Sequence, residues 1–212
     1  EISFLDRSSR LSSPSNASGV AMGVADIDQD GLDDIVHLHL AKTLRVDYQE
    51  PNGAAFVGQN VGSAFSKSQW GLCIADADDN GYPDILSGGY YDNLVDLTSP
   101  RVFLQAVNFA DINGDGMLDI FACHDVGDNA KFRNTGGRNF VYDNGMIDTR
   151  TTPSSDNSGN YGTVWTDYDN DGDIDLYLSK CRSGGSDPAD PRRVNMFLRN
   201  NGDGTYSNVA AA

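Results

Sequence analysis

Short segments of alternating apolar and polar residues recur along the chain, and each ends in an aspartate-rich run. The residues four and two positions before the first Asp of each run are Met22/Val24, Leu72/Ile74, Val107/Phe109 and Thr163/Trp165. A period of two is typical of a β-strand, because alternate side chains lie on one face. After each run come the apolar pairs Ile35-Val36, Ile85-Leu86, Ile120-Phe121 and Leu176-Tyr177. We therefore predict that each acidic run joins two antiparallel strands.

The acidic runs are copies of one motif. Four segments align without gaps: VADIDQDGLDDIV (24–36), IADADDNGYPDIL (74–86), FADINGDGMLDIF (109–121) and WTDYDNDGDIDLY (165–177). They share the pattern D-x-[DN]-x-[DN]-G-x-x-D, and their first aspartates lie 50, 35 and 56 residues apart. Repeats of this length are typical of solenoids, propellers and arrays rather than of a single enzyme core.

A second signature lies between the acidic runs. The segments QEPNGAAFVGQ (49–59), RNTGGRNFVYD (133–143) and RNNGDGTYSNV (199–209) place turn residues before an aromatic residue, which predicts hairpins. Each unit then has four strands, the size of one propeller blade. The second unit has a short spacer without this turn, SGGYYDNLVDLTSPRVFLQ (87–105), so we expect a trimmed or irregular blade there.

Together these patterns predict an all-β fold, a β-propeller-like array of four-stranded antiparallel blades in a single domain, residues 1–212. The predicted units are approximately 1–59, 60–105, 106–143 and 144–212.

Composition narrows the choice of partner. The 212 residues include 31 acidic and 15 basic side chains, giving a net charge of −16. Such a charge disfavours nucleic acid and anionic membrane surfaces and favours cations. No apolar run approaches the roughly 20 residues of a membrane span, so none is predicted. The three cysteines form no CxxC pair, so we expect small buried residues, or one disulfide if the chain is secreted.

The motif has the oxygen spacing of a calcium loop. In the third copy, Asp111, Asn113 and Asp115 are positions 1, 3 and 5, and Asp119 is position 9. Alternate oxygens point inward when the chain curls around a hard cation, the glycine at position 6 allows the turn, and the backbone carbonyl of position 7 adds a ligand. Magnesium demands a tighter octahedron and is the less favoured ion.

Two other interpretations of the motif are weaker. A helical EF-hand needs a bidentate Glu at position 12, where this chain has His37, Ser87, Ala122 and Leu178. Asp, Asn and Gly also form ordinary turns. However, four copies keep the same ligand positions, and only two of the sixteen are softened from Asp to Asn.

The motif after an apolar strand, with NNGDGTY further on, resembles the FG-GAP/VCBS repeats. In that family the repeats form blades of a calcium-binding β-propeller, as in integrin α-subunit heads and many secreted bacterial proteins. The resemblance implies about four calcium ions. Their side-chain ligands would be Asp26, Asp28, Asp30 and Asp34; Asp76, Asp78, Asn80 and Asp84; Asp111, Asn113, Asp115 and Asp119; and Asp167, Asp169, Asp171 and Asp175. Backbone carbonyls at Leu32, Tyr82, Met117 and Asp173 would supplement them.

The phase of the repeat suggests how the array ends. The N-terminal ISFLDRS resembles the outer strand of a unit, like TYSNVAA at the C-terminus. Four units are also fewer than the family's rings contain. We therefore favour a section of a larger propeller, or a protomer that self-assembles by passing a terminal strand to a neighbour.

The leading functional prediction is a secreted, extracellular or cell-surface scaffold and interaction domain, involved in adhesion, with structural calcium and no catalytic residues. Its protein or glycan partner is not specified by the sequence. One alternative is a lectin-like module, with Tyr90 and Tyr91 as the most site-like aromatic pair and Trp70 near a rim. Another is a structural subunit of an assembly or filament.

An enzyme segment is the less favoured alternative. His37 and His39 share one strand face, where they could bind a transition metal, although core histidines are commoner. No GxSxG, HExxH or P-loop motif occurs in the sequence.

Overall fold

The computed structural model describes residues 5–11, 21–39, 43–63, 69–92, 102–151, 159–182 and 187–210. The regular structure in these ranges is β, apart from two 3-10 turns, Ser8–Arg10 and Pro51–Gly53. No helix within the same ranges has the length and apolar character to cross a membrane. The prediction of an all-β fold is confirmed.

The strands form four antiparallel groups of four, two, four and four in chain order, and strand pairing joins the second and third groups into one six-stranded sheet. The first sheet contains β1 (Met22–Ala25), β2 (Asp34–Leu38), β3 (Thr43–Tyr48) and β4 (Val57–Ser63). The second contains β5 (Gln69–Ala75) and β6 (Asp84–Asp92). The third contains β7 (Val102–Ala110), β8 (Asp119–His124), β9 (Ala130–Asn134) and β10 (Phe140–Tyr142). The fourth contains β11 (Asn160–Thr166), β12 (Asp175–Lys180), β13 (Met196–Asn200) and β14 (Tyr206–Asn208).

The second sheet has only two described strands, which agrees with the trimmed or irregular blade predicted from its short spacer. Its two described strands continue into the third sheet through the pairs Tyr90–Phe103 and Asp92–Val102, at the end of β6 and the start of β7. The three full sheets have the hairpin between their last two strands that the turn residues predict.

Every acidic run connects two antiparallel strands in the same register. The residue just before the first Asp is paired with the last Asp of the motif. These pairs are Ala25–Asp34, Ala75–Asp84, Ala110–Asp119 and Thr166–Asp175. The run is therefore a closed loop at the end of a hairpin, as the sequence predicts, and both of its ends are fixed by strand pairing.

The hydrophobic core lies between neighbouring sheets. On one face of β8, Ile120 and Ala122 pack into a cluster with Leu86 of the second sheet. On the other face, Phe121 packs with Leu176 and Leu178 of the fourth sheet. A side chain such as Phe121, with no exposed surface, contributes about 1.5–3 kcal/mol by burial. The third sheet is thus covered on both faces, as a blade is by its two neighbours, which fits a β-propeller-like class.

The first strands of successive units lie close together. Gly71 of β5 has no room for a side chain, because a Cβ there would lie 3.0 Å from the backbone nitrogen of Val107 in β7. On the other side of β7, the hydroxyl of Thr163 in β11 donates to the side-chain oxygen of Asn108. Within the described ranges no strand of the fourth sheet pairs with one of the first.

The N-terminal segment departs from the sequence prediction. Residues 5–11 include the 3-10 turn Ser8–Arg10 instead of an outer strand. This turn is held against the first sheet, because Arg10 accepts from the backbone N–H of Phe56 at 2.8 Å and its guanidinium donates to Ala54 O. The guanidinium also lies 5.4 Å from the Phe56 ring centroid. The predicted N-terminal strand, residues 2–8, is therefore wrong for residues 5–8, and its residues 2–4 lie outside the described part of the chain. The C-terminal strand is confirmed as β14 at a sheet edge.

Candidate metal centres

The four acidic loops, called loops 1 to 4, are residues 26–34, 76–84, 111–119 and 167–175. Each turns sharply at its glycine in position 6, where φ is positive: 87° at Gly31, 87° at Gly81, 87° at Gly116 and 97° at Gly172. A side chain is strained at this φ, so the position favours glycine. Position 4 is also left-handed, at Gln29, Asp79, Gly114 and Asn170. The sequence reasoning did not identify this second turn position.

The Asp at position 1 organises the turn from inside. One carboxylate oxygen accepts from the backbone N–H of position 5 at 3.0–3.1 Å. The other accepts from the N–H of the position-6 glycine at 2.7–3.1 Å. The loop is therefore curled by its own backbone donors, which preorganises the other oxygens.

The side chain at position 5 closes the turn. Its Oδ1 accepts from the backbone N–H of position 7 at 2.8–3.0 Å in every loop. The acceptors are Asp30, Asn80, Asp115 and Asp171, and the position-7 residues are Leu32, Tyr82, Met117 and Asp173. The predicted carbonyl ligands thus belong to residues whose backbone is fixed at the exit of the turn.

The Asp at position 9 connects the loop to the sheet. In loop 3, Asp119 Oδ2 accepts from the N–H of Ile112 at 3.0 Å, and Oδ1 accepts from the N–H of Asn134 at 2.8 Å, at the end of β9. Loops 1 and 4 repeat this arrangement, with Gln49 and Asn200 as the distant donors. Asp34, Asp119 and Asp175 are consequently buried. This structural role was not predicted from the sequence, although the repeated Arg-Asn pair at 133–134 and 199–200 could have indicated the distant donor.

Three of the loops bring carboxylates together in a metal-type cluster. In each, one oxygen from each of three aspartates lies within 4.8 Å of the other two. The clusters are Asp26/Asp28/Asp34, Asp76/Asp78/Asp84 and Asp167/Asp169/Asp175. Asp78 Oδ1 is buried and has no hydrogen-bond partner in the described structure, so an oxygen in loop 2 is left for another ligand. The residues present therefore fit a hard cation.

Loop 3 differs because position 3 is an amide. The Nδ2 of Asn113 donates to Asp115 Oδ2 at 3.0 Å, so one amide donor and one carboxylate acceptor are already paired within the loop. Loop 3 is absent from the three-carboxylate clusters of the described residues. Its aspartates at positions 1 and 9 nevertheless make the same backbone contacts as those of the other loops.

The acids destabilise one another electrostatically. Desolvation, followed by the charges of Asp30 and Asp34, raises the pKa of Asp28 above its ordinary value. Desolvation and the neighbouring carboxylates likewise raise the pKa of Asp169. Burial raises the pKa of Asp119 to about 6, although its two backbone hydrogen bonds act in the opposite direction. Clustered carboxylates with raised pKa values are stabilised by a cation.

Loop 2 has a cation from the neighbouring unit. Arg138, in the β9–β10 hairpin, has its Nε 2.7 Å from Asp78 Oδ2 and its Nη2 3.0 Å from Asp84 Oδ1. In loops 1, 3 and 4, the Oδ1 of position 9 instead accepts a backbone N–H from the third strand of its own sheet. The arginine supplies the donor that the two-stranded sheet lacks in the described part of the chain.

The other predicted candidates lie elsewhere. His37 is buried, and its Nε2 donates to Asp47 Oδ2 at 3.0 Å, which favours a structural role over a transition-metal site shared with His39. Tyr90 and Tyr91 lie on β6, and their side chains fall outside the described part of the chain.

The three cysteines are unpaired thiols, and the expectation of small buried residues fits two of them but not the third. Cys123 is buried, Cys73 is half-buried and Cys181 is exposed. Burial raises the pKa values of Cys73 and Cys123 to about 12.

Fold and loops together define an all-β repeat protein with aspartate-rich connections of the metal-binding type. The family model for the FG-GAP-like repeat matches residues 106–178, which contain the second half of β7, all of β8, β9, β10 and β11, most of β12, and loops 3 and 4. This part of the chain is therefore an FG-GAP-like repeat, and the resemblance seen in the sequence is confirmed. A search of curated proteins finds no match.

Proposed function

We propose that the acidic loops bind calcium and that the chain is a calcium-stabilised, non-catalytic scaffold and interaction domain that works outside the cell. The observation that carries this proposal is the set of three carboxylate clusters whose oxygens lie within 4.8 Å of one another. Every predicted ligand atom is an oxygen, and hard cations prefer such donor sets. Calcium accepts six to eight oxygen ligands in variable geometry, whereas magnesium demands a near-ideal octahedron, so this loop suits calcium better.

Calcium would act on the fold because each loop joins the first two strands of a sheet. A bound ion offsets the mutual repulsion of carboxylates held in one turn. An ion that binds the folded chain better than the unfolded chain stabilises the fold by mass action. Four doubly charged ions would also halve the formal charge of −16.

The proposed location follows from calcium supply. Extracellular calcium modules bind at about 10⁻⁴–10⁻³ M, so they fill outside cells and stay largely empty in cytosol. FG-GAP-like repeats are typical of extracellular interaction domains, which supports the same location. The strongly acidic surface argues for a protein or glycan partner rather than a nucleic acid.

The test is thermal unfolding of the full chain in EDTA, in calcium and in magnesium. We expect the Tm to fall in EDTA, to recover with millimolar calcium and to recover less with magnesium. Isothermal titration should detect about four sites per chain, with loop 3 weakened by its amide at position 3. An unchanged melting curve in EDTA would refute the proposal.

Loop 1 offers a matched pair of variants for this test. Asp28→Asn removes a carboxylate of the cluster at position 3, whereas Asp33→Asn removes an exposed carboxylate at position 8 of the same loop. Both variants change the net charge equally. We expect Asp28→Asn to weaken calcium binding at loop 1, as the amide at position 3 does in loop 3, and Asp33→Asn to leave it unchanged.

A further inference from the structure

A cavity opens on the first strands of three consecutive units. It has a volume of about 510 Å³ and is lined by β5, β7 and the start of β11. Its apolar floor includes Leu72 and the buried Val107. This volume lies within the range of small-molecule sites, roughly 300–1,000 Å³. None of the described lining residues is a predicted metal ligand, so this cavity is separate from the acidic loops that follow these strands in the chain.

Two aromatic side chains line the cavity from different units. Trp70 of β5 is 41 % exposed and Tyr161 of β11 is 42 % exposed. The Trp70 ring is held by an edge-to-face contact with Phe103, at a centroid distance of 6.3 Å. Large aromatic faces that are held in place and still half-exposed are suited to stacking on a ligand.

Two neutral amides of β7 supply the polar groups of the cavity. Gln105 donates from Nε2 to Asp125 Oδ2 at 3.1 Å, which fixes the amide and leaves Oε1 as an acceptor. Asn108 accepts the Thr163 hydroxyl at its Oδ1, which leaves its amide N–H groups as donors. Among the described lining residues, none is charged.

We propose that this cavity binds a neutral saccharide. A sugar ring presents an apolar C–H face to an aromatic side chain and hydroxyl groups that both donate and accept hydrogen bonds. The cavity offers stacking faces, one fixed acceptor and one fixed donor, which match that chemistry. An anionic glycan would be repelled by the protein's charge of −16. This inference goes beyond the proposed function and does not depend on calcium at the loops.

The test uses the full chain on a glycan array, with glycans ending in neutral hexoses or N-acetylhexosamines and with sialylated and sulfated counterparts. The best neutral glycan of the array is then titrated by saturation-transfer NMR. We expect neutral glycans to bind, and Trp70→Ala and Tyr161→Ala to weaken binding by about ten-fold or more. Tyr142→Ala removes a 38 % exposed tyrosine on β10 and should leave the affinity within two-fold.

Variants that keep the fold make the test decisive. Trp70→Phe preserves an aromatic contact with Phe103 and should retain part of the affinity, while Asn108→Asp removes an amide donor at nearly constant size. Each variant is compared by circular dichroism and melting before titration. The proposal is overturned by no neutral glycan binding, by preference for the anionic glycans, or by unchanged affinity in folded Trp70 and Tyr161 variants. A flat melting response to EDTA would refute the calcium proposal alone.

Discussion

Arg138 and Asp78 form an ion pair across two repeat units, with the guanidinium Nε 2.7 Å from the carboxylate Oδ2. The same guanidinium reaches Asp84, the position-9 residue of loop 2. It therefore contacts two predicted ligands of one loop. Loop 2 is partly neutralised before any metal binds.

The first prediction concerns the stability of the metal-depleted protein. Arg138→Gln removes the cation that offsets the repulsion in loop 2, so the variant should unfold more easily than the parent in EDTA. The arginine is 58 % exposed, so we expect a modest loss of about 1 kcal/mol or less. In saturating calcium the difference should shrink, because the ion replaces the guanidinium. Urea denaturation in both conditions measures the two differences.

A second arginine provides the control. Arg150 pairs with Asp148 outside the loops, and both side chains are more than half exposed. Arg150→Gln changes the net charge by the same amount without touching a predicted ligand. If both variants respond equally to calcium, Arg138 has no special relation to loop 2.

The second prediction separates position 9 from position 5 in loop 3. Asp119 is fully buried and accepts two backbone N–H groups, whereas Asp115 is exposed. Asp119→Asn directs an amide NH₂ toward one of these donors and leaves a buried N–H unsatisfied. We expect a loss of about 2–3 kcal/mol in EDTA, where metal binding cannot contribute.

Asp115→Asn is the matched variant, because it removes one carboxylate from the same loop. Its contact to the Met117 N–H survives through the amide oxygen, so we expect less than about 1 kcal/mol in EDTA. Urea denaturation of both variants makes the comparison. Equal losses would mean that the buried connection to β9 adds nothing to the stability of the sheet.

The sequence predicted the parts of this fold that depend on neighbouring residues. Glycine at position 6 marked a turn whose positive φ the structure shows, and alternation marked the strands on both sides. The Asn-Gly, Gly-Gly and Asp-Gly segments marked the hairpins for the same local reason. Each of these features is encoded within about ten residues.

The features that the sequence analysis missed depend on contacts between distant residues. Arg138 is far from Asp78 in sequence, and no local pattern distinguishes it from any other hairpin arginine. The burial of β8 on both faces depends on the packing of the second and fourth sheets against it. Residues 5–8 of the predicted N-terminal strand are not a strand, because an outer strand needs a sheet edge to pair with, and the adjoining Arg10 instead bonds to the 54–56 segment.

The third prediction concerns a buried charge network in the first sheet. Asp47 is 2 % exposed and accepts from His37 Nε2 at 3.0 Å and from Arg45 Nε at 3.2 Å. Asp47→Asn removes the buried charge that compensates the partly buried guanidinium of Arg45, and should cost about 3 kcal/mol in urea denaturation. Asp143→Asn makes the same change in an exposed pair with Arg133 and should cost less than about 1 kcal/mol. Similar costs would show that burial of the network is immaterial.

The fourth prediction is a pH dependence that arises from Lys131, which is 1 % exposed on β9. Burial lowers the pKa of its ammonium from 10.5 to about 8. The charges of Arg150 and Lys180 also lower this pKa, whereas those of Asp128 and Asp148 raise it. Between these two pH values the folded chain binds fewer protons than the unfolded chain, so the free energy of unfolding rises with pH. Below pH 8 the full cost of burying the charge remains, on the order of 3 kcal/mol.

Lys131→Met removes this titration while keeping a long side chain. We expect the variant to be more stable than the parent at pH 7, and the difference to shrink between pH 8 and 10.5 as the parent's lysine loses its proton. The thiols of Cys73 and Cys123, whose pKa values are raised to about 12, lower stability above about pH 9 in both proteins. Subtracting the two urea-denaturation curves therefore isolates Lys131.

Arg133→Met, a change of the half-exposed neighbouring side chain on β9, should give a difference that does not vary with pH. A parallel pair of curves for Lys131→Met and the parent would show that the fold does not lower the pKa of this lysine.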